Sequence, residues 1–249
     1  LGAGAMGSAI SIPLIDSRNY VNLWGTEYDV QILNSIVQNR FHPSLKTVIP
    51  EEVNVFYPQD LDKALEECDT VFIAVSSEAV NSIIKRALPY MKTVTKLVIL
   101  SKGLYEDGDN VSLLSTMIEE IVRQTRKEVE EMRIVSVGGP CIAEELANKV
   151  PTAVLYASKY LGDADECKKN FETAYYRIHT TSDVIGVEVC AALKNVYSIA
   201  VGWCHGLSEA FRFKSMFNLE SLIITQSVKE MSVITQRLGG RFETAFGLA

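Results

Sequence analysis

The sequence of 249 residues predicts an α/β fold, in which a domain with a mainly parallel sheet is followed by an all-helical domain. Continuous apolar runs such as Thr70–Val75 (TVFIAV) are typical of parallel strands buried on both faces. Such strands alternate with helical segments up to Asp183, as in βαβ units. Two long helical stretches then follow with no strand between them. We therefore expect one domain at residues 1–183 and a second at 184–249.

The individual elements can be placed in chain order. Apolar and β-branched runs predict strands at Tyr20–Trp24, Val53–Tyr57, Thr70–Val75, Lys96–Leu100, Arg133–Val137, Thr152–Ala157 and Arg177–Thr180. The segments between and after them predict helices at Tyr28–Gln38, Gln59–Cys68, Glu78–Leu88, Val111–Glu131, Ile142–Asn148, Asp163–Ala174, Val184–Cys204 and Asn218–Leu238.

A glycine-rich segment opens the chain. Residues Gly2, Gly4 and Gly7 form the pattern G-x-G-x-x-G, and an apolar helix start follows, which Pro13 should kink. Such a turn binds dinucleotides when a strand precedes it and a helix follows. Since the strand is almost absent, we expect that a few of its residues are missing ahead of Leu1. The alternative is that the glycines serve only a tight turn and close helix packing.

Small residues and one lysine follow the other predicted strands. Ser76, Lys102 and Gly139 each come after an apolar run, where ligands bind in open parallel sheets. We expect Lys102 to face that crevice, although it could be a surface cation. Gly139 and Pro140 could equally form only a turn before a helix.

Lys194 lies within a helical segment that is otherwise nearly apolar. Between Val184 and Cys204 the only charged residues are Glu188 and Lys194, which predicts a buried helix. Burial would lower the lysine pKa from about 10.4, by roughly 3–5 units if complete, and prepare the amine for acid–base chemistry. The alternative is a buried stem with an ammonium group in water. The neighbouring Asn195 could contact a ligand or satisfy a nearby group.

The cofactor preference depends on the end of the second strand. That strand runs into Gly25, Thr26 and Glu27, with no carboxylate directly at its tip, and we expect no arginine there to meet a 2′-phosphate. Thr26 could bond a ribose hydroxyl or a phosphate. A tip without a carboxylate does not repel phosphate, so we favour NADP slightly over NAD.

Composition argues against several classes of protein. The net charge of −7 gives no support to nucleic-acid binding. Five cysteines without a C-x-x-C pair and three scattered histidines predict neither disulfides nor a metal site, and favour a reducing, cytoplasmic compartment. The uncharged stretch Asn195–Ser208 is too short to span a bilayer, so no integral membrane segment is expected.

The chain resembles the NAD(P)-dependent sn-glycerol-3-phosphate dehydrogenase family along its whole length. The segments that carry the resemblance are LGAGAMGSAI, LWGTE, ILSKGL, GGPCIAEELANKVPTAV, TTSDVIGVEVCAALKNVYSIAVG and LGGRFETAFGLA. The resemblance implies a Rossmann-type domain, a helical substrate domain and reversible reduction of dihydroxyacetone phosphate by NAD(P)H. It also implies a homodimer and a place in glycerol-3-phosphate metabolism and phospholipid biosynthesis.

The resemblance also implies roles for particular residues. Lys194 would donate or accept the proton, with Lys102 beside both nicotinamide and substrate, and the substrate site would add Gly139, Cys141 and Asn195. The expected cofactor-binding residues are Gly2, Gly4, Ala5, Met6, Gly7, Thr26, Ser76, Lys102 and Ala143.

Three positions depart from the family pattern. Cys141 replaces a Ser or Thr, Glu220 replaces a lysine, and Gln226 replaces an arginine. We also expect an aspartate and an Arg-Asn pair that hold the substrate phosphate to lie beyond Ala249, so that this chain alone would handle substrate poorly. The alternatives are a related two-domain NADP-dependent reductase of a hydroxy acid or sugar acid, and a dinucleotide-binding module without catalysis.

Overall fold

The structure is a computed structural model that describes residues 1–93, 95–108, 110–126, 132–212 and 214–249. Its strands are β1 (Val21–Trp24), β2 (Phe41–His42), β3 (Thr47–Val48), β4 (Val53–Phe56), β5 (Thr70–Ile73), β6 (Lys96–Ile99), β7 (Leu104–Asp107), β8 (Asn110–Leu113), β9 (Arg133–Gly138), β10 (Thr152–Ala157) and β11 (Tyr176–Thr181). Its helices are α1 (Ala5–Asp16), α2 (Val30–Asn39), α3 (Leu61–Leu65), α4 (Ser77–Ala87), α5 (Leu114–Thr125), α6 (Ala143–Ala147), α7 (Leu161–Phe171), α8 (Val184–Ala210) and α9 (Phe217–Arg237).

Among the described residues, the main sheet has five strands in the order β11-β10-β9-β6-β5, and only its β9–β10 pair is antiparallel. A parallel pair of β1 and β4 lies beside it. Leu1 and Gly2 connect the two sheets, because the Leu1 amine donates to the Phe72 carbonyl at 2.6 Å and the Gly2 amide donates to the Trp24 carbonyl at 2.9 Å. The carboxyl ends of β1, β5 and β6 therefore meet at one edge, beside the start of α1. The predicted α/β architecture with a helical C-terminal part is confirmed.

Alternate residues of the central strands supply two hydrophobic layers. In β6, Leu97 and Ile99 pack in the layer with α4 and α5, whereas Val98 packs in the layer with α1. Successive side chains of a strand point to opposite faces, so a strand covered on both sides is apolar at most of its positions. This arrangement explains why the continuous apolar runs predicted these strands correctly.

Two hairpins were absent from the sequence prediction. The expected helix Val111–Glu131 is shorter at its start, because β7 and β8 form an antiparallel hairpin before α5 begins at Leu114. Residues 127–131 of that prediction lie outside the described residues. Gly108, at the turn between the strands, has a φ of +60°, which glycine adopts without strain. The Asp-Gly pair that it forms with Asp107 is a typical hairpin signal. A second short hairpin joins β2 and β3.

Helix α8 is longer than predicted and only partly buried. Its first two turns, including Gly186–Ala191, pack against the sheet, whereas Val196 and Trp203 are exposed. The expectation of burial nearly all round is therefore wrong after Ala191. By length and composition α8 alone among the described helices could cross a bilayer, a test that core helices of soluble proteins also pass. Asp183 caps it by accepting from the Gly186 amide at 3.0 Å.

Candidate active site

The glycine-rich turn has three glycines with three different surroundings. Gly2 has a φ of +100°, and a Cβ there would lie 2.8 Å from the Ala74 carbonyl oxygen. A Cβ on Gly7 would lie 1.9 Å from the Gly2 oxygen, so this glycine lets α1 approach the turn. A Cβ on Gly4 would meet nothing within 4 Å. The backbone at Gly4, which precedes the first residue of α1, is therefore open to a ligand.

Two side chains from elsewhere hold this turn in place. The Ala3 amide donates to Asp29 Oδ2 at 3.3 Å, and the buried His42 lies with Nε2 at 3.3 Å from the Ala3 carbonyl oxygen. Because the Leu45 amide donates to His42 Nδ1, the Nε2 atom carries the proton and donates to Ala3. Burial lowers the pKa of His42. No sequence pattern predicts this role for His42, which lies 39 residues from Ala3 along the chain.

A cavity of about 510 Å³ extends from the turn along the sheet edge. It is lined by Gly2, Gly4, Thr26 and Ser76, so the structure brings these four predicted cofactor residues together. A larger cavity of about 710 Å³ between β1 and β5 includes only Gly7 of the predicted site residues. We consider the smaller cavity the functional one because it contains the open turn.

Besides Gly7 and Lys102, three predicted cofactor residues lie outside that lining, namely Ala5, Met6 and Ala143. Ala5 and Met6 form the first turn of α1, where Ala5 is exposed and Met6 packs against the core. Ala143 begins α6 and is half-buried against the same core layer. All three lie at the start of a helix near the sheet edge, and their contacts with a cofactor stay predictions.

Contrary to the sequence expectation, an arginine does reach the tip of the second strand. Arg86 of α4 lines the same cavity as Thr26. Its Nη1 donates to Glu27 Oε1 at 2.7 Å and its Nη2 donates to the Pro58 carbonyl at 2.5 Å. Its guanidinium also lies 5.2 Å from the ring centroid of Trp24. Sequence reasoning missed it because 59 residues separate it from Glu27.

The two predicted lysines meet at the other side of the crevice. Lys194 Nζ donates to the Gly139 carbonyl at 3.0 Å. Burial, followed by repulsion from the Lys102 ammonium, lowers the pKa of Lys194 from 10.5 to about 8. Burial raises the pKa of the Cys141 thiol, and the two lysines oppose that effect. Four predicted residues thus form one cluster, namely Lys102, Gly139, Cys141 and Lys194.

The carbonyl that receives Lys194 belongs to a position that favours glycine. Gly139 has a φ of +114°, and a Cβ there would lie 2.8 Å from the Leu248 oxygen and 3.2 Å from the Val154 Cα. A larger residue would therefore displace the backbone that holds the lysine. Asn195 follows Lys194 on α8 and is exposed, so its contact with a substrate stays a prediction.

A buried carboxylate ties α8 to the sheet next to this cluster. Glu188 accepts from the Ser136 hydroxyl at 2.5 Å and from the Ser115 amide at 3.3 Å. Burial raises the pKa of Glu188. Sequence analysis identified it only as a charge on an apolar helix, since its partners lie on β9 and α5.

The comparisons with known proteins cover the whole chain. Residues 1–164 match the N-terminal part, and residues 183–249 the C-terminal part, of the family described as NAD-dependent glycerol-3-phosphate dehydrogenase. The NADP(+)-dependent glycerol-3-phosphate dehydrogenase of Archaeoglobus fulgidus is 43% identical over 249 residues, which are 100% of this chain and 72% of the relative. The glycerol-3-phosphate dehydrogenase [NAD(P)+] of Clostridium botulinum is 30% identical, over 100% of this chain and 70% of its own.

A solved structure agrees with these relatives. The crystal structure of glycerol-3-phosphate dehydrogenase from Coxiella burnetii is 27% identical, with a TM-score of 0.82, and the match covers 99% of this chain and 70% of that one. The glycine-rich turn, the crevice and both halves of the fold thus agree with one class of oxidoreductase that uses NAD(P), with NADP favoured. The substrate of such an enzyme is a small phosphorylated molecule. The chain belongs to the family of NAD(P)-dependent glycerol-3-phosphate dehydrogenases.

Proposed function

We propose that this active site interconverts dihydroxyacetone phosphate and sn-glycerol 3-phosphate, with Lys194 moving the proton at the substrate oxygen. The observation that carries the proposal is the position of Lys194, whose amine bonds the Gly139 carbonyl beside Lys102. An amine with a pKa of about 8 can both donate and accept a proton near neutral pH.

When bound, NAD(P)H would supply the hydride for the reduction, and NAD(P)+ would receive it in the oxidation. In the reduction, negative charge grows on the carbonyl oxygen, and the ammonium group of Lys102 stabilises it. Lys194 then delivers its proton to that oxygen, and water reprotonates the neutral amine. In the oxidation, the neutral amine of Lys194 accepts the hydroxyl proton. Gly139 holds the amine in place through its carbonyl, so the proton is carried at a fixed position.

The glycine-rich turn suits the pyrophosphate of a dinucleotide. The open backbone at Gly4 and the start of α1 offer N–H groups and the positive end of a helix dipole to a phosphate. Thr26 and Ser76 line the adjoining cavity and would hold the adenosine half. Ala5, Met6, Gly7 and Ala143 complete the proposed cofactor site on the family resemblance.

The substrate would lie between the lysines and the start of α6. Gly139, Cys141 and Asn195 are the proposed lining, and the Cys141 thiol is a weaker hydrogen-bond partner than the hydroxyl that is usual there. Substrate profiling separates this function from that of a related reductase. We expect oxidation of NADPH with dihydroxyacetone phosphate, and far less with unphosphorylated dihydroxyacetone or a 2-keto acid. Equal rates with the unphosphorylated compounds would favour the related reductase.

The Lys194→Ala variant tests the role of the amine. General acid–base catalysis contributes about 10²–10⁴-fold, so we expect kcat to fall by that factor. NADPH affinity, measured by calorimetric titration, should stay close to that of the unmodified enzyme, because the turn and the cavity lie on other elements. Turnover that survives the substitution would disprove the acid–base role.

We further propose a cytoplasmic enzyme whose domains divide near Asp183 and which acts on neither nucleic acid nor membrane. Support comes from the five cysteines, all free thiols, which suit a reducing compartment.

Exposed apolar side chains on α8 and α9, including Trp203 and Phe217, support a homodimer. Light scattering of the purified enzyme would give a dimer mass, and a monomer mass at micromolar concentration would contradict this proposal.

A further inference from the structure

We propose that Arg86 selects NADP over NAD by binding the 2′-phosphate, and that Glu27 is the counterion that Arg86 gives up when it does so. This inference rests on the proposed function, because it concerns the cofactor of the same site. It assigns specificity to a helix, α4, in which the sequence showed no cofactor signal.

Arg86 lies where the adenosine ribose is expected. In open α/β sheets that bind dinucleotides, the group that contacts the 2′ position lies near the carboxyl end of the strand that follows the glycine-rich turn and its helix. In this fold that strand is β1. Thr26, Glu27 and Arg86 line one cavity with Gly2 and Gly4. A dinucleotide whose pyrophosphate binds at Gly4 therefore extends its adenosine half toward Arg86.

The guanidinium is held in place before any cofactor arrives. Its Nη2 donates to the Pro58 carbonyl, and the Trp24 ring lies 5.2 Å below it. Neither contact competes with a phosphate, since one partner is a neutral carbonyl and the other an aromatic face. A planar guanidinium fixed in this way binds phosphate oxygens with little loss of side-chain freedom.

A second carboxylate, Asp29, lines the same cavity and is held by hydrogen bonds to the loop. Asp29 Oδ2 accepts from the Thr26 amide at 2.8 Å, from the Thr26 hydroxyl at 2.8 Å and from the Ala3 amide at 3.3 Å. These three bonds all engage Oδ2 and orient Asp29 toward Thr26 and Ala3 of the loop.

Glu27 is the exchangeable partner of Arg86. Its side chain is 62% exposed, and exposed ion pairs contribute little stability. A phosphate carries up to about two negative charges and can bond a guanidinium through two oxygens, whereas Glu27 carries one charge. Exchange of Glu27 for the 2′-phosphate is therefore favourable. NADH offers no such group, and Arg86 then remains paired with Glu27.

The test is calorimetric titration of NADPH and of NADH into the purified enzyme and three variants. Arg86→Gln removes the charge but keeps a donor for the Pro58 carbonyl. Glu27→Gln removes the competing carboxylate. Arg237→Ala, an exposed arginine on α9 outside both cavities, is the control for the loss of one positive charge. The quantity compared is the ratio of the NADH and NADPH dissociation constants, which does not depend on the fraction of protein that is folded.

We expect Arg86→Gln to weaken NADPH binding roughly 10- to 100-fold, as for the loss of hydrogen bonds to a charged group, and to leave NADH binding nearly unchanged. Glu27→Gln should tighten NADPH binding and raise the ratio, and Arg237→Ala should leave the ratio unchanged. An equal effect of Arg86→Gln on both cofactors, or none on either, would overturn the inference while the proposed function stands. If the unmodified enzyme binds neither cofactor, it is the proposed function that fails.

Discussion

The lowered pKa of Lys194 predicts opposite pH profiles for the two directions of the reaction. In the proposed mechanism, Lys194 must be protonated to reduce the ketone and neutral to oxidise the alcohol. Consequently kcat/KM for reduction should fall as pH rises through about 8, and kcat/KM for oxidation should rise through the same pH. The lowering from 10.5 to about 8 also makes the neutral amine roughly 300-fold more abundant at neutral pH, since each pH unit is a factor of ten.

The causes of that pKa give the perturbation. Burial is the larger cause and repulsion from Lys102 the second, so Lys102→Met should move both inflections to higher pH without restoring 10.5. The variant will also be slower, but the position of an inflection does not depend on the height of the curve. Lys229→Met, which removes an exposed lysine on α9, is the matched control and should leave the inflections in place.

The assay is the initial rate of NADPH oxidation or NADP reduction, measured between about pH 6 and 10 so that the profile spans the expected inflection. Inflections that stay unchanged in Lys102→Met would show that Lys102 does not act on the titrating group. If both directions depended on pH in the same sense, the titrating group would not be the proton carrier, and the assignment of Lys194 would be wrong.

Two further predictions concern the glycine-rich turn. Gly7→Ala would place a Cβ 1.9 Å from the Gly2 oxygen, so urea denaturation should show that the free energy of unfolding falls by at least about 1–3 kcal/mol. Gly4→Ala has open space at its Cβ and should keep its stability but bind NADPH more weakly. Equal stability of the two variants would contradict this account of the turn. The pKa of His42 is lowered in the folded protein, so the unfolded chain binds more protons and stability should fall as pH drops below about 6.5. His42→Gln should flatten this dependence of stability on pH. An unchanged slope in the variant would show that His42 is not its source.

Most of the sheet could be predicted because the residues that bury each strand follow one another in the sequence as a short apolar run. The run around Val71 and the run around Leu97 are apolar on both faces and have no competing interpretation. The β7–β8 hairpin was missed because Val111–Leu113 continues directly into a helical pattern, although Gly108 marks a turn. The exposed face of α8 was missed because composition cannot tell which side of an apolar helix finds a partner.

The candidate site divides in the same way. Lys102 and Gly139 follow strands, so the rule that ligands bind at the carboxyl edge of a sheet located them. His42, Arg86 and Glu188 each contact at least one residue that lies 39 to 73 positions away in the chain. No local spacing signals such contacts, and a histidine, an arginine or a glutamate has many ordinary positions in a fold. The packed structure was needed to find them.

The bond between Lys194 and the Gly139 carbonyl joins a helix of one half of the chain to the end of a strand of the other. The proposed proton carrier, on α8, and the glycine-rich turn, before α1, consequently lie far apart in the sequence and come together only through packing. The position of α8 depends on the hydrogen bonds of Glu188 and Asp183. Loss of these bonds would displace Lys194 and stop proton transfer, while the glycine-rich turn remained intact. We therefore expect inactivation of such an enzyme to remove catalysis before cofactor affinity.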